Sequence, residues 1–314
     1  MNLKFLETLV WVARLKSFRL TAEKMFTTQA SVSSRIAALE DELGTRLFLR
    51  DSKGVSLTPS GQKVLEYAEH MMNTLQELKQ SIGDSDNVRR SIRIGAIDVV
   101  IHTWLSSFIT KVMERYPSLE IELTVDTTRN LSDQVQKGYL DISFQVEMVR
   151  SDSVRNLELA TFPVSWIVPA DSLYHRGYAS LADLTKERII TFSKNSRPHL
   201  DVLNLLHSAN VSTPRVSCVS SVAAMTHLIR TGFGVGLLPA AVVSDELSRG
   251  VLTILDGIAQ PSALGLVATW HTGPGLELNE DIIALACEAL CEYGAQMGEA
   301  MISVLIPDKG QETA

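Results

Sequence analysis

Residues 17–36 read SFRLTAEKMFTTQASVSSRI, two short helical patterns on either side of a break at Thr27 and Thr28. In the second pattern Val32, Ile36, Leu39 and Leu43 recur at i, i+4, i+7 and i+11, one apolar stripe of a helical period. On the opposite side lie Ala30, Ser33, Ser34 and Ala37, all small. A helix face free of long side chains lets the backbone approach the floor of a DNA groove, and Gln29 at its N-terminal end is placed to read base edges. An ordinary helical hairpin that packs its small residues on another helix would carry the same pattern. The flanking sequence favours the DNA reader.

Residues 2–15 predict a helix with Leu3, Leu6, Leu9, Val10 and Ala13 on one face. Residues 18–26 and 28–43 predict the next two, the last stopped by Gly44. TRLFLRDSKGVSLT (45–58) then reads as a hairpin, Arg46–Arg50 and Val55–Thr58 strand-like around a turn over Asp51–Gly54. Three helices and a hairpin make a winged helix-turn-helix, with Arg50 and Lys53 at the wing tip to meet phosphates or a minor groove. Thr58 followed by Pro59 is a helix start. Behind it Val64, Ala68, Met71, Leu75, Leu78 and Ile82 are spaced 4-3-4-3-4, a heptad seam. A helix linking two domains has little else to bury such a seam against, so 59–82 is expected to pair with a second copy; docking on its own domain is the alternative. Residues 83–87, GDSDN, form a polar hinge.

At 314 residues and 45% apolar, the chain can bury a full core in two or three domains. Net charge is −7, yet residues 1–58 hold nine Lys or Arg against six Asp or Glu, a net +3 that leaves −10 to the rest. A basic head on an acidic body confines phosphate contact to one end and argues against a nonspecific nucleic-acid coat. Cys218, Cys287 and Cys291 offer no disulfide framework and suit a reducing cytoplasm. Cys287 and Cys291 stand four apart without a His or third Cys at ligand spacing, so buried structural thiols are expected rather than a metal pair. No signal-like segment opens the chain, and no apolar run reaches the roughly 18 residues of a membrane span. A soluble, cytoplasmic protein is expected.

From Ser91 the rhythm changes. SIRIGAI (91–97) predicts a strand, 102–115 a helix with Leu105, Phe108, Ile109 and Val112 inward, LEIELTV (119–125) a strand, 130–137 a helix and DISFQV (141–146) a strand. This alternation predicts a parallel sheet covered by helices. SWIVP (165–169), RIITF (188–192), RVSCV (215–219), VGLLP (235–239) and LGLVATW (264–270) predict further strands. Helices are expected at 198–209, 222–231 and 278–300, and the end from Pro307 reads as disordered.

Phe18 and Ala22, then TQASVSSRIAALEDELGTRLFLR (28–50) and LTPSG (57–61), resemble the LysR-type transcriptional regulators, bacterial DNA-binding proteins with an effector-sensing domain. RIGAIDVVIHTWL (93–105), RYPSLEIELTV (115–125), GYLDISF (138–144) and TGFGVGLLP (231–239) continue the resemblance in order, so that it spans residues 3–295. It implies an α/β chain with an N-terminal all-α winged helix-turn-helix, a long dimerisation helix, and an effector domain resembling type 2 periplasmic binding proteins. That domain consists of two doubly wound α/β subdomains joined by crossover strands near 161–164 and 265–269. The implied boundaries are 1–58 for the DNA-binding domain and 59–87 for the linker helix and hinge. The effector domain follows at 88–302, with subdomain I at 91–161 and 268–300 and subdomain II at 162–267, and a flexible tail at 303–314.

The family's recognition helix brings Thr28, Gln29, Ala30, Ser31, Ser33 and Ser34 to the DNA, with Gln29, Ala30, Ser33 and Ser34 at the bases. Arg35 falls near the backbone, and Arg50 and Lys53 lie in the wing. The chain departs from the family at Ala30, where Pro is usual, at Thr21, where Ala is usual, and at Ser34, where a longer side chain, often Arg, is common. A hydroxyl at 34 cannot make the bidentate guanine contact of an Arg, so base preference there is weaker or different.

The family's effector site lies between the subdomains, lined by strand ends and helix N-termini whose free N–H groups attract carboxylates. By position it is faced by Ile97, Asp98, Val99, Val100 and Ile101, by Asp126, Thr127 and Thr128, by Phe144 and Gln145, by Pro198 and His199, and by Ser220 and Ser221, a lining more apolar than polar. Thr128 matches a residue whose hydroxyl often contacts effector. Asp98 has two readings: a cap for the helix that follows it, which would displace an anionic effector, or a selector for an amine or hydroxyl on the ligand. His102 and His199 read as structural histidines before ligand contacts. The implied partners are double-stranded operator DNA and a small, partly apolar effector, a carboxylate being one candidate. A second copy through 59–82, a tetramer as is common in such proteins, and RNA polymerase complete the set, with no cofactor, metal or membrane.

An enzyme is the rival class. GFGVG (232–236) is glycine-rich, but it precedes a strand instead of following one and so lacks the context of a dinucleotide fingerprint. No GxSxG, HExxH or CxxC occurs, and no acid pair is flanked by a plausible base, so no catalytic residue is expected. A free solute receptor would carry an export signal and would have no need of residues 1–58.

Overall fold

Short polar side chains start the helices of the N-terminal unit. Asn2 accepts from the Lys4 N–H at 2.9 Å and begins α1 (Leu3–Leu15), Ser17 accepts from Leu20 at 3.3 Å and begins α2 (Phe18–Lys24), and Thr28 accepts from Ser31 at 3.1 Å and begins α3 (Gln29–Leu43). The Thr58 hydroxyl accepts from Gly61 at 2.9 Å and begins α4 (Pro59–Ile82). Gly44, at φ +63, closes α3 in the left-handed conformation that glycine adopts without strain. The computed structural model describes residues 2–51, 54–82, 91–151, 154–172, 180–184, 186–210, 215–272 and 276–306. It divides into two units, Met1–Arg90 with Lys137–Tyr139, and Ser91–Gln136 with Leu140–Ala314.

In the first unit Leu6, Leu9, Val12, Phe18, Val32, Ile36, Leu39, Leu47, Phe48 and Ala68 share one core. Leu3 and Leu43 were expected on apolar faces but are 43% and 40% exposed, because both sit on terminal residues of their helices, beyond the core. The departure at Thr21 is accommodated: its side chain is fully buried, and its hydroxyl donates to the Ser17 carbonyl at 2.8 Å. The second helix ends at Lys24, two residues before the predicted end.

The wing is β1 (Phe48–Asp51) paired antiparallel with β2 (Gly54–Leu57), starting two residues later than Arg46. Lys53 and the side chain of Arg50 lie outside the described residues. Gly61 explains part of the LTPSG run: a Cβ there would stand 2.0 Å from the Leu47 carbonyl oxygen. On α4, Ala68 is buried and Val64 and Leu65 pack against the same core, so the first part of the predicted seam docks on its own domain. Met71 is 39% exposed and Leu75 half-buried, while Leu78, Ile82 and the hinge 83–87 lie outside the described side chains.

The second unit holds two sheets. β3 (Ser91–Ala96), β4 (Glu120–Val125) and β5 (Ile142–Gln145) are parallel, as predicted; β6 (Val154–Phe162), β12 (Leu264–His271) and β13 (Ser303–Val304) run antiparallel to their neighbours, giving the order β13-β6-β12-β5-β3-β4. The second sheet has the order β11-β7-β10-β8-β9, built from β7 (Val164–Pro169), β8 (Arg188–Thr191), β9 (Arg215–Cys218), β10 (Val235–Pro239) and β11 (Leu252–Ile254). Its β8, β9 and β10 are parallel, while β7 and β11 are antiparallel. The chain leaves the first sheet at Pro163, between β6 and β7. It returns before Leu264, since β12 pairs with β6 from Leu264 onward, so the second crossover lies ahead of the predicted 265–269.

The predicted helix 102–115 begins three residues late, as α6 (Leu105–Arg115), and a separate short helix, α5 (Asp98–Ile101), precedes it. The Thr103 hydroxyl donates to the Val99 carbonyl at 2.8 Å, competing with the helical ladder, and Trp104 turns into the core at the break. The remaining helices are α7 (Thr128–Gln136), α8 (Leu181–Leu184), α9 (Arg197–Ser208), α10 (Val222–Arg230), α11 (Ser244–Ser248) and α12 (Glu277–Met297). Cys287 is half-buried and Cys291 exposed, so α12 does not hold the two buried thiols expected of it; it turns the Cys291 position outward. Among the described residues no helix is long and apolar enough to cross a membrane, and no cluster of His, Cys, Asp or Glu is arranged to hold a metal ion.

Candidate functional site

On α3 the burial of Val32, Ile36 and Leu39 turns the opposite face outward. Thr28, Gln29, Ala30, Ser34 and Ala37 are exposed, and Ser31, Ser33 and Arg35 are half-buried. Two of these predicted contacts are engaged internally: Thr28 caps the helix through the Ser31 N–H and also donates its hydroxyl to Ser31 Oγ at 3.1 Å. Arg35 donates to Thr8 Oγ1 at 3.4 Å, so its guanidinium rests on α1 beside the face rather than projecting from it. The open face is therefore Gln29, Ala30, Ser34 and Ala37, bounded by Ser33. Trp11 carries cations on its ring, Lys24 at 5.1 Å and Arg14 at 5.8 Å, which holds part of the positive charge against the fold.

The predicted effector-site residues divide by what their side chains already do. Val99, Val100 and Phe144 are at most 2% exposed, and Phe144 sits edge-on to Trp104 (5.1 Å) and Phe108 (5.5 Å), so these three are core side chains. Gln145 is also fully buried; its amide donates to Ser132 Oγ at 3.0 Å and to the Glu147 carbonyl at 2.7 Å, and its oxygen accepts from Ser143. β5 is central and covered on both faces, which is why its end offers a ligand less than its position suggested. Ile101 is half-buried.

Thr128 Oγ1 accepts from the Val146 N–H at 3.3 Å, joining the start of α7 to the end of β5. Thr127 is bound through its N–H to Asp126 Oδ1 at 2.7 Å, and the same carboxylate oxygen receives Asn130. Ser221 caps α10 by accepting from Ala224 at 3.4 Å, and Ser220 is exposed. His199 is 7% exposed; its Nδ1 accepts from the Asn195 N–H at 3.2 Å, and burial, with Lys194 nearby, holds its pKa below the usual histidine value. That bond ties His199 to the residues just ahead of α9.

Asp98 does not cap the helix that follows it: Ile97 is the N-cap of α5 and makes no side-chain cap bond. Asp98 Oδ2 instead accepts from the main-chain N–H of Val222, the first residue of α10, and its other oxygen lies 3.7 Å from His102 Nε2. The local helix start suggested a local cap; the actual donor is 124 residues away and no spacing in the sequence reports it.

The second unit also holds a cavity of about 200 Å3, lined by neither Asp98 nor Val222, that position-matching mostly missed. It is walled by Val146 and Glu147 beyond β5, Thr191 at the end of β8, Arg197, Pro198 and Asp201 on α9, and Leu264 and Gly265 at the start of β12. Only Pro198 among these was predicted. Thr191 is fully buried, and its hydroxyl has no hydrogen-bond partner. Arg197 and Asp201 are joined at 3.1 Å.

Residues 3–62 match the family model described as bacterial regulatory helix-turn-helix protein, lysR family, and residues 85–284 match that of the LysR substrate binding domain. The regulator YofA of Bacillus velezensis is 27% identical over 232 residues, 74% of this chain and 78% of that protein. ArgP from Mycobacterium tuberculosis superposes with a TM-score of 0.71 at 18% identity, covering 91% of this chain and 96% of that one. Full-length LysG from Corynebacterium glutamicum, with bound effector Arg, gives a TM-score of 0.66 at 21% identity over 93% and 99% of the two chains.

Proposed function

Because the chain belongs to the LysR family of bacterial DNA-binding transcription regulators, we propose that residues 1–58 read an operator through the small-residue face of α3 and that 59–87 link them to an effector domain at 88–302. The observation that carries the reading is the outward face of Gln29, Ala30, Ser34 and Ala37 on a helix otherwise fixed by its buried stripe. Such a face approaches base edges without a long side chain intervening. Met71 and Leu75 on the outer part of α4 are the seam positions left for a second copy, which would space two recognition helices on one operator.

The effector is a small, partly apolar molecule in the 200 Å3 cavity, where the Thr191 hydroxyl lacks a partner and Val146, Val164 and Leu264 supply apolar wall. The protein acts in the cytoplasm, where its operator is, and does no chemistry on what it binds. The glycine turn at 232–236 supports that reading: Gly232, at φ +74, ends α10 ahead of β10, and Gly234 lies against the Arg188 carbonyl.

Selection of the full chain on random duplexes, followed by a salt titration, tests the reading. Expected is a log affinity that falls linearly with log salt on the selected site and is lost when residues 1–58 are deleted. Absence of any salt-dependent duplex binding overturns it.

A further inference from the structure

We propose that Asp98 is a clasp across the effector cleft, a carboxylate supplied by the chain itself that closes the two subdomains without a ligand and excludes carboxylates from the start of α10. Only the effector-class part rests on the cleft being the effector site. Asp98 follows β3 of the six-stranded sheet, whereas Val222, whose N–H it receives, begins a helix packed on the five-stranded one. The bond therefore joins elements that belong to different sheets.

In two-lobed receptors the ligand itself bridges the lobes as they close around a hinge. Here a bridge is already present. The first N–H groups of a helix lack intrahelical partners and favour negative charge. In α10, Ser221 takes the Ala224 N–H and Asp98 takes that of Val222, so two of the first-turn donors that would greet an anionic effector are used within the chain. The Asp98 side chain keeps 20% of its surface exposed, with His102 at 33% beside it. A second carboxylate at this place would face that charge at close range. What the clasp admits is a ligand presenting an ammonium, N–H or O–H toward Asp98, which competes with Val222 for the same oxygens.

The test uses the full chain, without DNA or effector, so that its outcome does not depend on whether an operator has been found. Asp98→Ala should lower the thermal midpoint by about 5 °C, the loss of one charge-assisted bond in a domain of this size, and Asp98→Asn, which keeps an acceptor, should lose less. Acetate added against chloride at equal ionic strength should raise the midpoint of Asp98→Ala and leave that of the wild type unmoved. Val222→Pro removes the donor at a first helical position where proline is tolerated; combined with Asp98→Ala, its shift should fall well short of the sum of the two. An Asp98→Ala midpoint within 1 °C of wild type, equal acetate responses in both proteins, or additive shifts in the double variant would each overturn the clasp.

Discussion

Glu40 on the recognition helix holds Leu47 at the root of the wing: its Oε1 accepts from the Leu47 N–H at 2.7 Å and from the Phe48 N–H at 3.2 Å. One carboxylate thus orients the wing relative to α3. Hydrogen bonds to a charged group are worth about 1.5–3 kcal/mol. Glu40→Ala should destabilise the first unit by about that amount in a denaturant titration, and Glu40→Gln, whose amide oxygen still accepts, should recover part of it. If the wing contacts phosphates, Glu40→Ala should also weaken all duplexes alike. An Ala variant as stable as wild type would show that the wing is held by Phe48 packing alone.

On the proposed reading of α3, Gln29→Ala removes a base-edge contact and no phosphate contact, and should weaken the selected operator by about 1–3 kcal/mol while leaving random duplexes nearly unchanged. Competition binding at one salt concentration reads both values. Equal losses on the two DNAs would move Gln29 from base reader to backbone contact.

How much of this was legible follows from which interactions are local. The stripe Val32, Ile36, Leu39 and the caps Ser17, Thr28 and Thr58 act within four residues, and the predicted helices and hairpin stand within about two residues of their observed ends. β6 escaped because Arg155, Asn156 and Glu158 interrupt its apolar run, and its pairing with β12 is set by residues 102 to 117 positions away. The site was harder. Family position brought Phe144 and Gln145 to the cleft, but burial of β5 on both faces committed their side chains to the core. Thr191, Arg197 and Asp201 meet Val146 and Leu264 only through the arrangement of the two sheets. The Asp98–Val222 contact has the same character, since a helix's free N–H groups can be served from anywhere in the chain.

His199 sets an acid limit on stability. Its Nδ1 accepts from the Asn195 N–H, and burial, with Lys194 close by, lowers its pKa from the ordinary value of about 6.5. As pH falls through that value the unfolded chain takes up the proton and the folded chain resists it. The contribution is therefore complete above about pH 6.5 and lost progressively below it. His199→Asn, whose carbonyl oxygen can replace Nδ1 as acceptor, should flatten the fall of the thermal midpoint between about pH 7 and pH 5.5. Identical slopes for the two proteins would remove His199 from the acid response.

Thr128 was expected to hold an effector through its hydroxyl, and that hydroxyl already has a task. It accepts from the Val146 N–H at 3.3 Å, and Val146 walls the 200 Å3 cavity. Thr128→Val keeps the volume and leaves that N–H without its partner, at a cost of about 0.5–1.5 kcal/mol in the second unit. Thr128→Ser, which retains the acceptor, should return most of it. DNA affinity without ligand should stay at the wild-type value in both variants, because neither touches α3. The decisive comparison is between the two substitutions in a denaturant titration. If Ser is as destabilising as Val, the methyl group rather than the hydroxyl is what Thr128 contributes, and the end of β5 must be positioned by the Gln145 network instead.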